Sequence, residues 1–133
     1  MILLSDPTFD EVDITAPAEE LTALASAVAA GGGFIGAASP AGSGALVGIE
    51  VRAAAGPGVR IEVDASRQVL VISGDPGGRA ILAAGLQGMA AAEDGGHLHI
   101  DYFPEHAYLM EGSVPLVVNS PHGGMPTRST TSL

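Results

Sequence analysis

Residues 96–103 read Gly96-His97-Leu98-His99-Ile100-Asp101-Tyr102-Phe103. Successive side chains of a strand point to opposite faces. As a strand, this segment turns Leu98, Ile100 and Tyr102 into the core and leaves His97, His99 and Asp101 as one polar row. The same division recurs at Val47, Ile49 and Val51 against Glu50 and Arg52, and at Val59, Ile61 and Val63 against Arg60 and Glu62. One apolar and one polar parity per strand is the pattern of a largely antiparallel sheet with one open side. The open side is expected to carry Glu50, Arg52, Arg60, Glu62, His97, His99 and Asp101.

Working outward, Phe9 to Ile14 alternates as a short strand. Thr15-Ala16-Pro17-Ala18-Glu19-Glu20 has the marks of a helix start: a hydroxyl able to cap, a proline for the first turn, and two acids for the positive end of the dipole. Leu21, Leu24, Ala25 and Val28 recur at helical spacing before Gly31-Gly32-Gly33 stops the helix. Residues 31–44 are rich in Gly, Ser and Pro and read as a flexible loop. Gln68 to Ile72 is apolar on both parities and belongs inside the sheet, joined to the preceding strand by the short Asp64–Arg67 link. Asp75 and Pro76 open a second helix with an apolar stripe at Ile81, Leu82, Leu86 and Met89, ending at Glu93-Asp94-Gly95-Gly96. The last strand, Val114 to Val118, holds Pro115, which points to an edge or irregular strand.

The expectation is an α+β fold: a single mostly antiparallel sheet of five to six strands, two helices on one face, order β-α-β-β-β-α-β-β. Residues 1–119 form one domain in this reading, residues 120–133 a disordered tail, and no internal repeat is seen.

Composition narrows the function. The chain of 133 residues carries a formal charge of −10. That argues against nucleic-acid binding, which needs cations to replace counterions on phosphates, and favours a basic partner. There is no cysteine, so disulfides, thiolate metal sites and thiol catalysis are excluded. Lysine is absent, and Arg52, Arg60, Arg67, Arg79 and Arg128 are the basic residues. No segment reaches the ~20 apolar residues of a membrane span and no basic leader opens the chain, so a cytoplasmic location is expected.

His97, His99 and Asp101 recur about 6 to 7 Å apart along their strand, a spacing at which two imidazoles and a carboxylate can share a metal or act as bases. No further metal-site signature accompanies them, and no metal or other cofactor is assigned. Glu105, His106 and Glu111 follow in a loop and extend the candidate binding site. Ser73 to Arg79 matches neither the P-loop nor the dinucleotide pattern and reads as a tight turn with a helix cap. No nucleophile elbow surrounds Ser113 or the loop serines.

The C-terminal segment HLHIDYFPEHAYLMEGSVPLVV (97–118) resembles the end of a family of small, mostly actinobacterial proteins classed as immunity proteins of bacterial polymorphic toxin systems. The resembling features are His97 and His99 followed by Ser113-Val114-Pro115-Leu116. The element order is similar over most of residues 9–118, and recognisable residues are confined to about 97–118. The resemblance implies a non-enzymatic protein that binds and neutralises a cognate toxin. The binding surface would be the polar sheet face and adjacent loop: His97, His99, Asp101, Glu105, His106 and Glu111. The competing class is a small-molecule or metal-binding protein, or a small enzyme of a biosynthetic cluster, centred on His97, His99 and Asp101. A third reading is a homodimer pairing through an edge strand at Val117.

Overall fold

The computed structural model describes residues 1–6, 11–38, 44–92 and 97–119. The expected tail at 120–133, the second helix's end at 93–96 and the strand start at Phe9-Asp10 lie outside the described residues.

The first helix, α1, spans Ala18–Ala30 and buries Leu21, Leu24, Ala25 and Val28, as their spacing requires. Glu19 and Glu20 occupy its first turn, where carboxylates favour the helix dipole. The N-cap is Pro17 with no side-chain cap; Thr15 instead closes a strand. Gly31, at φ 81, turns left-handed and returns its N–H to the Ala27 carbonyl. The second helix, α2, spans Pro76–Ala91, and its cap is as expected: the Gly78 N–H donates to Asp75 Oδ1 at 2.8 Å. Its buried face is Arg79, Leu82, Ala83, Leu86 and Ala90, while Ile81 is 49% exposed. The apolar stripe is therefore rotated from the one expected. The close approach on this helix is at Gly78, where a Cβ would meet Val59 at 3.0 Å.

Among the described residues eight strands accompany the helices: β1 (Ile2–Asp6), β2 (Glu11–Thr15), β3 (Gly32–Gly36), β4 (Gly48–Ala53), β5 (Val59–Asp64), β6 (Val69–Gly74), β7 (His97–Ile100) and β8 (Leu116–Asn119). They form two four-stranded mixed sheets, ordered β1-β2-β8-β7 and β3-β4-β6-β5. The α+β class and the two helices hold, but the single sheet does not. The decisive pairings, β2 with β8 and β4 with β6, are parallel and join strands distant in sequence. Strand alternation carries no information about such partners.

Three local corrections follow. The glycine-rich stretch expected as a loop contributes β3, which pairs with β4 from Gly32↔Arg52 to Gly36↔Gly48. β8 is an inner strand between β2 and β7, because Pro115 precedes the first paired residue and so removes no ladder donor. Val117 therefore cannot serve an edge-to-edge dimer. Val47 lies before β4 and is 50% exposed, whereas Ile49 and Val51 are buried. As expected, β6 is buried on both parities from Val69 to Ile72, because it lies between β4 and β5.

The topology is also a repeat. Hairpin β1-β2, helix α1 and hairpin β3-β4 are followed by hairpin β5-β6, helix α2 and hairpin β7-β8. The pair Ile2↔Thr15 reappears as Arg60↔Ser73, and Leu3↔Ile14 as Ile61↔Ile72, each residue 58 further along. The same step carries Leu24, Ala25 and Val28 onto Leu82, Ala83 and Leu86. Each sheet takes one hairpin from each half, so exchanging the halves maps one sheet onto the other. The two helices pack on each other, and α2 also touches both sheets through β6 and β8. Leu3, Ile14, Leu24, Ile61, Ile72, Leu82 and Val118 share one continuous core.

The sheet edges follow the repeat too. Leu46 N–H donates to the Leu3 carbonyl on the outer side of β1, and Val114 N–H donates to the Ile61 carbonyl on the outer side of β5. In each half, the connection before the last strand thus covers the first strand of the same half, which lies in the other sheet.

Candidate functional site

The strand register read from the sequence holds in β7. Ile100 is buried, Leu98 and Tyr102 pack against the core, and His97, His99 and Asp101 are exposed. The expected common face is split between the sheets, however. Glu50, Arg52, Arg60 and Glu62 lie on the other sheet, in a surface ion-pair group. There Arg67 bonds Asp64 and Glu50, and Arg67 with Ser66 holds the Asp64 carboxyl down at about 2.

On the β7 side, His97 faces Asn119 across the β7-β8 ladder. The Asn119 amide nitrogen donates to Asp13 Oδ1 at 2.8 Å and to Thr15 Oγ1 at 3.0 Å. Its Oδ1 therefore accepts from His97 Nδ1, at 2.6 Å, and Nε2 is left as the outward nitrogen. The His97 and His99 rings meet edge-on with centroids 6.1 Å apart. Within this row the hydrogen bond described is that of His97 to Asn119. Among the described residues no three His, Asp or Glu side chains come together to hold a metal ion.

Glu105, His106 and Glu111 are brought together elsewhere, around a cavity of about 370 Å³ that Pro57, Tyr102 and Tyr108 also line. The β7-β8 connection that builds it is pinned to β5. Val59 N–H donates to the Tyr108 carbonyl at 2.7 Å, and Met110 N–H to the Val59 carbonyl at 2.8 Å. Ser113 completes the seam: its Oγ accepts from the Ile61 N–H at 3.1 Å, which gives this serine a structural role. His106 is fixed from all sides. Its Nδ1 accepts from the Tyr108 and Leu109 N–H groups at 3.1 and 3.0 Å, so the ring proton belongs on Nε2. Its ring sits between Phe103, at 4.8 Å, and Tyr108, at 4.7 Å. Burial pushes the Tyr108 hydroxyl above its ordinary range. Glu105 holds a left-handed backbone at φ 74, uncommon for a residue with a side chain.

The structure thus divides the six expected binding residues. His97 and His99 lie on a sheet face, Glu105, His106 and Glu111 around a cavity, and Asp101 on the connection between them. Asn119, Asp13 and the two tyrosines were not anticipated as participants. Asp13 stood on the polar parity of its strand, but its meeting with Asn119 depends on the parallel β2-β8 pairing.

Comparison with known proteins supports the likeness seen in the C-terminal segment. Residues 69–121 match the model of a family described as Immunity protein 32. The match runs from β6 through α2 and β7 to β8 and includes every residue of the cavity loop. No curated protein and no solved structure matches the chain. No helix among the described residues is long and apolar enough to cross a membrane.

Proposed function

We propose that this protein is an immunity protein: it binds a toxin of a polymorphic toxin system and holds it inactive in the cytoplasm of the cell that makes both. The observation that carries the reading is the family match over residues 69–121, because that span contains both candidate surfaces, the His97–Asn119 row and the 101–111 loop. The charge of −10 supports a basic partner. Each described arginine is engaged within the chain, three in surface ion pairs and Arg79 in the core. Recognition in this account needs no catalysis. The cavity loop and β7 present a preformed surface, and the toxin is blocked by being covered.

The test is complex formation with a candidate toxin domain from the flanking genes. A stable stoichiometric complex in which the toxin's activity is lost supports the proposal. A toxin that stays active with the protein in excess refutes it.

A further inference from the structure

The repeat separates what the β7-β8 connection does for the fold from what it does besides. Its counterpart in the first half, residues 37–47, reads AASPAGSGALV and contains no charged or aromatic residue. It still covers the edge of β1 through Gly44 and Leu46. Covering an edge therefore needs neither charge nor aromatic rings. The second connection nevertheless carries Asp101, Tyr102, Phe103, Glu105, His106, Tyr108 and Glu111. Five of these, Tyr102, Glu105, His106, Tyr108 and Glu111, line the 370 Å³ cavity, which is at the small end of the roughly 300–1,000 Å³ typical of ligand pockets.

We infer that this cavity receives an arginine side chain of the protein partner. The inference rests on the proposed binding function and names the chemistry recognised. Two glutamates and neither arginine nor lysine line the cavity, so it disfavours an anion and suits a cation. Arg60 lies beside Gly112 and is paired with Glu62. The walls are aromatic, and a planar guanidinium stacks on such faces while forking its N–H groups to a carboxylate, which a compact, strongly hydrated ammonium does less well. His106 Nδ1 is occupied by two backbone donors, so its ring is held in one orientation. The loop is anchored to β5 at Val59 and Ile61, so the cavity exists before the partner arrives and little ordering cost opposes binding.

The probe is N-acetyl-arginine amide, titrated into the ¹⁵N-labelled full chain and followed by amide chemical shifts. The neutral isostere N-acetyl-citrulline amide and N-acetyl-lysine amide run alongside. Saturable shifts confined to Tyr102 and residues 105–111 are expected, at least tenfold weaker binding of citrulline and lysine, and at least tenfold weaker arginine binding in Glu105→Gln/Glu111→Gln. The single variant Glu111→Gln, which leaves the left-handed Glu105 untouched, should fall between. Absent or scattered shifts, citrulline or lysine binding as well as arginine, or an unaffected double variant with a native spectrum would each overturn the inference. No toxin is needed for this reading. A positive titration beside a toxin that stays active removes the immunity proposal alone, and a negative titration beside a blocked toxin removes the arginine pocket alone.

Discussion

Arg79, in the first turn of α2, donates from Nη1 to the carbonyl oxygen of Val28, in the last turn of α1, at 3.0 Å. The same nitrogen reaches the Ala29 carbonyl at 2.9 Å, and Nε donates to the Gly74 carbonyl at 2.9 Å. A cation that is only 5% exposed thus closes the negative end of one helix from the start of the other. At the equivalent place in the first half stands Leu21. The pairing tests whether the charge or the volume matters. Arg79→Leu should lose about 3 kcal/mol in urea unfolding, since buried carbonyls lose their donors. Arg79→Lys should recover only part, because an ammonium cannot span the three acceptors. A loss under about 1 kcal/mol would mean that water replaces the guanidinium freely.

The repeat predicts matched core costs. Leu24 and Leu82 are equivalent and both fully buried, so Leu24→Ala and Leu82→Ala should each cost about 2 to 5 kcal/mol. Ile81→Ala, one residue away on the exposed side, should cost no more than about 0.5 kcal/mol. Denaturant midpoints that reverse this order would place the wrong face of α2 in the core.

These helices were the legible part of the fold. Apolar spacing at Leu21, Leu24, Ala25 and Val28 and the Asp75-Pro76 start are local signals. The two-sheet arrangement was not legible, because pairing of β2 with β8 and of β4 with β6 is decided by tertiary packing. The repeat is not legible in the sequence for a related reason: it is kept in register and apolar pattern, while identities such as Ile14 with Ile72 and Leu24 with Leu82 are sparse. β3 was hidden by its glycines. For the site, the alternation in 97–102 gave the correct exposed and buried sets. Glu105, His106 and Glu111 were legible as one loop, but their place around a cavity apart from the histidine row was not, because it depends on the loop folding back on β5.

Acid should weaken the fold partly through Asp64. The Arg67 guanidinium, then the Ser66 hydroxyl, lower its carboxyl from 3.8 to about 2 in the folded protein. A lowered folded value means stability that is fully present above the unfolded value and lost as pH falls through the folded one. The loss attributable to Asp64 therefore falls between about pH 4 and 2. Asp64→Asn should flatten the stability profile in that window and leave the slope above pH 5 unchanged. A profile identical to the parent's would show that the ion pair is screened out in solution.

Ser113 bonds the backbone of β5 through its hydroxyl. Ser113→Ala should cost about 1 to 2 kcal/mol of stability through the unpaired Ile61 N–H and leave partner binding intact once the protein is folded. Complete loss of toxin neutralisation in a stably folded Ser113→Ala protein would reassign this residue to the functional surface.

The most direct test of the central claim is protection of living cells. Growth is measured while a candidate toxin domain from the flanking genes is induced, with the parent protein or with the Asp101→Asn/Glu105→Gln/Glu111→Gln variant present at equal level. The account predicts full growth with the parent and sharply reduced protection by the folded variant, whose slower association should be blunted by added salt in vitro. Growth arrest with the parent protein present would contradict the immunity reading, and equal protection by both would contradict the acidic loop as the recognition surface.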